Sequence, residues 1–323
     1  MQDFFNTVRR IAIGVLFAFI AASGYGAEWS LSAVQKRLGL TECENLTNLV
    51  TITDGTNSLV IKPGYRKASL NGTTLWFNGV ANPDYKKVLT LADADVLRFI
   101  EPILKGTPTA VTGETFRVFI DPGHGGEDGG AVSKINGQLE KDLVLDISER
   151  LGAYLEAAGA SVCFSRTNDV FLTLGERSNL AASQKADIFV SIHANTTGGA
   201  SARGPETFSL TLAGYESTSA GGTIQAKERP GNTYDHDSSI LGYYIHSKLP
   251  KRKDFEDRGF KHARFQVLRQ APCPAVLIET GFLSNGAETQ SLASPRFRER
   301  IAKAISEGII EYMRRAMRKD GEK

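Results

Sequence analysis

Apolar and polar positions follow two rhythms along this chain. Three short runs, Phe116–Asp121, Asp187–Ile192 and Ala275–Ile278, are dense in Val, Ile, Leu and Phe and have the length of buried strands. Elsewhere the spacing lengthens to that of a helix. Leu143, Ile147, Leu151 and Leu155 recur at four-residue intervals, as do Ile301, Ile305, Ile309 and Met313. Extended along the carboxyl two thirds, the pattern predicts strands at 116–121, 160–165, 187–192, 205–210, 264–268 and 274–279. It predicts helices at 139–158, 173–185, 238–249 and 295–317. Thr173 and Glu176 have the spacing of a capping box for the second of these.

Residues 28–104 read differently, as a small α+β module. Leu31, Val34, Leu38 and Leu40 mark a short helix ending at Gly39. Leu49–Ile52 and Leu59–Ile61 alternate around Asp54-Gly55-Thr56-Asn57, a hairpin signal. The segments Leu70–Thr73 and Trp76–Gly79 add strands and turns, and Leu91–Leu97 opens another short helix. Residues 105–114, polar and rich in Gly, Pro and Thr, read as a linker.

The length of 323 residues accommodates this module and a full catalytic domain at 115–318, with a short tail at 319–323. The first 27 residues read as an export signal: Arg9 and Arg10, the uncharged run Ile11–Ala22, then small residues up to Ala27. The apolar run is shorter than the roughly 20 residues that span a bilayer, so no stable transmembrane span is expected. A net charge of +2 does not imply nucleic acid as a partner. The three cysteines, Cys43, Cys163 and Cys273, lack metal-ligand spacing. A Cys163–Cys273 bridge is one reading, and buried free thiols the preferred one.

The chemistry lies where the strands end. The first run leads into Pro122-Gly123-His124-Gly125-Gly126, a glycine-lined turn that presents an unshielded imidazole. The second ends at His193-Ala194-Asn195 and the third at Glu279-Thr280-Gly281. In open α/β sheets, sites form at the carboxyl ends of strands. Glu140 opens the first helix three residues before Leu143, so it shares the buried face and needs a counter-charge there. Two histidines and a carboxylate form a catalytic zinc set that leaves a position for water. His124, Glu140 and His193 are therefore assigned as zinc ligands. Glu279 is assigned as general base toward a metal-bound water nucleophile, and then as acid toward the leaving group.

The strings IDPGHGG, LEKDLVLDI, SIHAN and PAVLIETGFLSN resemble the zinc-dependent N-acetylmuramoyl-L-alanine amidases of the amidase-3 type. Arg166, Glu176-Arg177 and Asp257-Arg258-Gly259 match further positions usual in that family. The resemblance spans about residues 115–318 and implies an α/β domain with a mainly parallel or mixed sheet flanked by helices. It implies peptidoglycan as substrate, cleaved between N-acetylmuramic acid and the L-alanine of the stem peptide. It also implies export to the periplasm or cell envelope. Position by position, it puts His124, Glu140 and His193 on the family's zinc ligands and Glu279 on its catalytic glutamate. The amino-terminal module loosely resembles the amino-terminal domains of copper amine oxidases. It contains no histidine and so implies no copper. A docking or spacer role is expected, with binding to wall glycan or an envelope partner as the sharper alternative.

Two other functions compete: a wall-binding protein that keeps only the fold, and a zinc peptidase that uses Arg166, Arg203 or Arg258 to clamp a substrate carboxylate. The long Ser/Thr/Gly-rich segment Thr211–Asp237 is expected to line the substrate groove, or to cover the metal through Glu216 or Glu228. His236 is a weak candidate for substrate contact, and Asp121 for orienting His124 or capping its turn.

Overall fold

The computed structural model describes residues 27–46, 48–83, 89–109, 115–218, 223–250 and 257–317. The export segment as far as Gly26, residues 110–114 of the linker, and the tail lie outside the described residues. Among the described residues, no helix is long and apolar enough to cross a membrane.

The amino-terminal strands are β1 (Glu28–Ser30), β2 (Glu42–Leu46), β3 (Leu49–Thr53), β4 (Ser58–Ile61), β5 (Lys67–Leu70), β6 (Thr73–Trp76), β7 (Asn82–Pro83) and β8 (Leu89–Ala92). Strands β2 to β6 form an antiparallel meander, with Asp54 holding the β3–β4 turn by accepting from the Thr56 and Asn57 amides. The predicted helix forms over Leu31–Leu38, capped by Ser30 and ended by Gly39 at φ 78°. The second helical stretch, Asp93 to Lys105, contains a π-helical turn at Val96–Ile100.

The remaining strands are β9 (Arg117–Pro122), β10 (Ser161–Phe164), β11 (Ile188–Asn195), β12 (Glu206–Leu210), β13 (Phe260–Ala263) and β14 (Ala275–Phe282). They join one mixed 11-stranded sheet in the order β10-β9-β11-β14-β12-β13-β6-β5-β4-β3-β2. Strands β10, β9, β11 and β14 are parallel, and β12 is antiparallel to β14. Both faces of the parallel part are covered, which explains the nearly continuous apolar runs. On one face, Val118, Ile120, Val190 and Ile192 pack against Leu143, Ile147, Leu151 and Leu155 of helix Glu140–Ala157. Ile301, Ile305, Ile309 and Met313 of helix Pro295–Ala316 complete that core. On the other face, Phe119, Phe189 and Leu277 meet Ala181, Val267 and Leu268.

The fold is the expected mixed α/β sheet flanked by helices, and the capping box at Thr173 and Glu176 is present. One strand was misplaced. The segment 264–268 is not a strand; β13 precedes it, and Gln266–Arg269 is a short helix burying Val267 and Leu268. Lys261 and His262 hid β13 by their polarity. Each is buried with a partner: Lys261 donates to Glu206, and His262 pairs with Ser209. A helix at Gly286–Ala293, capped by Asn285, was not predicted. All three cysteines are free, but only Cys273 is buried; Cys163 is half-buried and Cys43 exposed.

Strands β2 to β6 are continuous with the sheet of β9 to β14, whereas β1, β8 and β7 form a separate three-stranded antiparallel sheet. Strand β6 pairs in parallel with β13 at Leu75 and Phe260, and Phe260 and Tyr243 pack into the amino-terminal core.

Candidate metal centre

Three neighbouring parallel strands bring the site together. His124 follows β9, His193 lies in β11, and Glu279 in β14 is the register partner of His193. Glu140 is the first residue of its helix and is buried there. Its Oε1 meets His193 Nδ1 at 2.9 Å and His124 Nε2 at 3.2 Å, and accepts from the Ala194 amide. Its Oε2 accepts from the Ala131 amide. Burial alone would raise the Glu140 pKa, but hydrogen bonds from His124 and His193 outweigh it and hold the carboxylate well below its usual range. For His124, burial opposes the charged form, while Glu140 and Asp128 together raise its pKa.

A divalent cation fits this arrangement. One ligand atom from each of His124, Glu140 and His193 lies within 4.8 Å of the others. Tetrahedral ligands about 2.1 Å from zinc stand about 3.4 Å apart, close to the separations seen here. The donors are two imidazoles and a carboxylate, the chemistry zinc prefers at catalytic sites.

The turn bearing His124 is strained and held from below. His124 has φ 61°, uncommon for a residue with a side chain. Arg177 donates to the His124 and Pro122 carbonyls and to Asp121, while Arg166 donates to the Pro122 and Gly123 carbonyls. Both arginines are buried. Glycine is required at two places: a Cβ on Gly123 would stand 2.3 Å from the His193 ring, and one on Gly130 would stand 2.6 Å from the His124 ring.

Asp121 does not orient His124. It is buried and accepts from Arg177, Ser165 and Ser191. Asp128 takes the orienting role instead, accepting from His124 Nδ1 at 2.8 Å and leaving Nε2 to face Glu140. Glu279 is buried, and its Oε2 has no hydrogen-bond partner among the described residues. Burial, then the charges of Glu140 and Glu206, raise its pKa well above the usual carboxylate value.

Glu206 escaped the sequence reading. It opens β12 opposite Glu279, buried, with Arg258 Nε and Lys261 Nζ each 2.5 Å from its Oε1 and Asn195 Nδ2 3.2 Å from Oε2. Its sequence signal was a charge at the head of an alternating strand, Glu206-Thr207-Phe208-Ser209-Leu210.

The described residues of the Thr211–Asp237 segment lie away from the cluster. Strand β12 begins beside Glu279 and runs antiparallel to β14, so its far end lies away from the site. Residues 219–222 lie outside the described residues. The rest packs toward the amino-terminal unit. Arg66 donates to the Glu216 and Ser217 carbonyls, Tyr215 bonds Asp93, and Glu228 stands 3.6 Å from Arg98. His236 belongs to this side too, bonding Asp237, which also accepts from Thr109. Shortening the segment is therefore expected to lower the melting temperature without raising wall hydrolysis. A tenfold rise in rate, about 1.4 kcal/mol of barrier, would mean that it does cover the site.

The sequence profile described as N-acetylmuramoyl-L-alanine amidase (Amidase_3) matches residues 118–311. N-acetylmuramoyl-L-alanine amidase LytC of Bacillus subtilis is 40% identical over 204 residues, which is 63% of this chain and 36% of that protein. AmiA of Salmonella typhimurium is 34% identical over 227 residues, 63% of this chain and 78% of that protein. The chain thus spans about a third of the length of the first relative and most of the second. Among solved structures, the catalytic domain of CwlV, from Bacillus (Paenibacillus) polymyxa, superposes with a TM-score of 0.52 at 31% identity. It covers 62% of this chain and 99% of that domain.

Proposed function

The chain belongs to the N-acetylmuramoyl-L-alanine amidase family, and we propose that it is an exported hydrolase of peptidoglycan. In this reading it cleaves the amide between N-acetylmuramic acid and the L-alanine of the stem peptide. The observation that carries the reading is the convergence of His124, Glu140 and His193 beside a buried Glu279 with an unpartnered oxygen. His124, Glu140 and His193 would hold zinc, with Asp128 fixing the His124 tautomer. Zinc, when bound, supplies Lewis-acid chemistry, acidifying water and polarising a carbonyl.

The chain's own residues do the rest. Glu279 accepts the proton of the attacking water through its free oxygen, and its burial strengthens that interaction. It then returns a proton to the L-alanine nitrogen, which leaves poorly without one. Its raised pKa suits the second step, since a buried carboxyl that holds a proton more readily than an ordinary one has that proton to return. Export to the envelope follows from the substrate, and β2, the last strand of the sheet among the described residues, is where an envelope partner would add a strand.

The peptidase alternative is less well supported. Of its three candidate clamps, Arg166 is buried with its donors on backbone carbonyls and Arg258 is paired with Glu206, which leaves the exposed Arg203 for a substrate carboxylate. Mass analysis of purified wall treated with the protein tests the reading. Intact stem peptides with free L-alanine amino termini are expected. Shortened peptides would mean a peptidase, and no products a binding protein.

A further inference from the structure

The family match begins at Val118, so the amino-terminal strands lie outside it. They nonetheless reach toward the catalytic glutamate. Strand β6 pairs with β13, and the turn Asp257–Gly259 just before β13 is pressed onto β6. The Trp76 indole Nε1 donates to the Arg258 carbonyl at 2.8 Å, and the Thr74 amide donates to Asp257 Oδ2 at 3.2 Å. Gly259 has φ 91°, and a Cβ there would stand 2.7 Å from Thr74 Cγ2 and 2.9 Å from Trp76 Cδ1. The contact is tight enough to set where the turn lies.

From that turn the Arg258 side chain passes 5.0 Å over the Phe282 ring and donates to Glu206. Lys261, whose ammonium lies 5.3 Å from the Trp76 ring centre, donates to the same oxygen. Glu206 is the strand partner of Glu279 and bonds Asn195, two residues beyond His193. A buried carboxylate at this place is costly unless its charge is met. The order of contacts is therefore Trp76, the Asp257–Gly259 turn, Arg258 with Lys261, Glu206, and then the strand that bears Glu279.

We propose that the amino-terminal strands are a positioning part of the active site, with Trp76 and Arg258 holding Glu206 against the Glu279 strand. This rests on Glu279 being the general base. Neither Trp76 nor Arg258 touches the reacting atoms in this proposal; both act through Glu206.

The test uses full-length protein loaded with zinc and assayed on purified wall well below each variant's unfolding midpoint. Trp76→Phe keeps a ring but removes the N–H. Arg258→Met removes the donor at similar length, and Arg258→Lys restores charge without the planar fork. Arg258→Met is expected to lower kcat about 10–100-fold, as does loss of groups that orient a catalytic shell. Trp76→Phe should lower kcat about threefold to tenfold, with KM and zinc content near parent, and Arg258→Lys should recover part of the loss. A lowered melting temperature with unchanged kcat per folded molecule in both Trp76→Phe and Arg258→Met would reduce these contacts to structural support and overturn the proposal. If the parent itself released no stem peptide, the underlying reading would fall and the proposal with it.

Discussion

Glu279→Gln is expected to lower the rate of wall hydrolysis by at least about 10²–10⁴, the usual worth of general acid–base help. The substitution keeps the shape of the side chain, so the packing of β14 should survive. What it removes is the ability to take a proton from water and hand one to the departing nitrogen. Oε2 of Glu279 is buried and unpartnered among the described residues, which leaves it free for that exchange. Zinc content should stay near the parent level, because Glu279 is outside the His124, Glu140 and His193 cluster. Loss of zinc in this variant would move Glu279 into the ligand set. Full retained activity would remove it from the mechanism.

His124→Ala and His193→Ala are each expected to abolish stoichiometric zinc. Either change removes one of three ligand atoms that lie within 4.8 Å of one another. Glu140 would then remain a buried carboxylate with one imidazole partner instead of two, a costly arrangement without a cation. Asp128→Asn should be milder. It weakens the hold on His124 Nδ1 but leaves the ligands in place, and loss of such an outer partner typically costs about 10–100-fold in metal affinity. Metal analysis of the purified variants reads both effects. His124→Ala binding zinc as tightly as the parent would refute the ligand assignment.

Much of the site was legible in the sequence because its residues sit where periodicity ends. His124, His193 and Glu279 each interrupt or follow a buried strand, and Glu140 falls on the apolar face of a helix; all four converge. The parallel strands were legible for the same reason, being buried on both faces. What escaped the reading depends on long-range pairing. Asp121 lies even nearer to His124 in the chain than Asp128, and only the folded turn decides that Asp128 bonds the imidazole while Asp121 faces Arg177. Glu206 acquires meaning only when β12 lies antiparallel to β14, which no local pattern dictates. The same reversal carries the described residues of Thr211–Asp237 away from the site. Polar residues with buried partners, Lys261 and His262, disguised β13, and with it the seam where the amino-terminal strands extend the catalytic sheet.

The most direct test of the account is the mass of stem peptides released from purified wall by full-length protein stripped of metal and then reloaded with zinc. No release is expected from the stripped protein, and release of intact peptides with free L-alanine amino termini is expected once one zinc per chain is restored. Equal release without zinc, or release of shortened peptides alone, would contradict it.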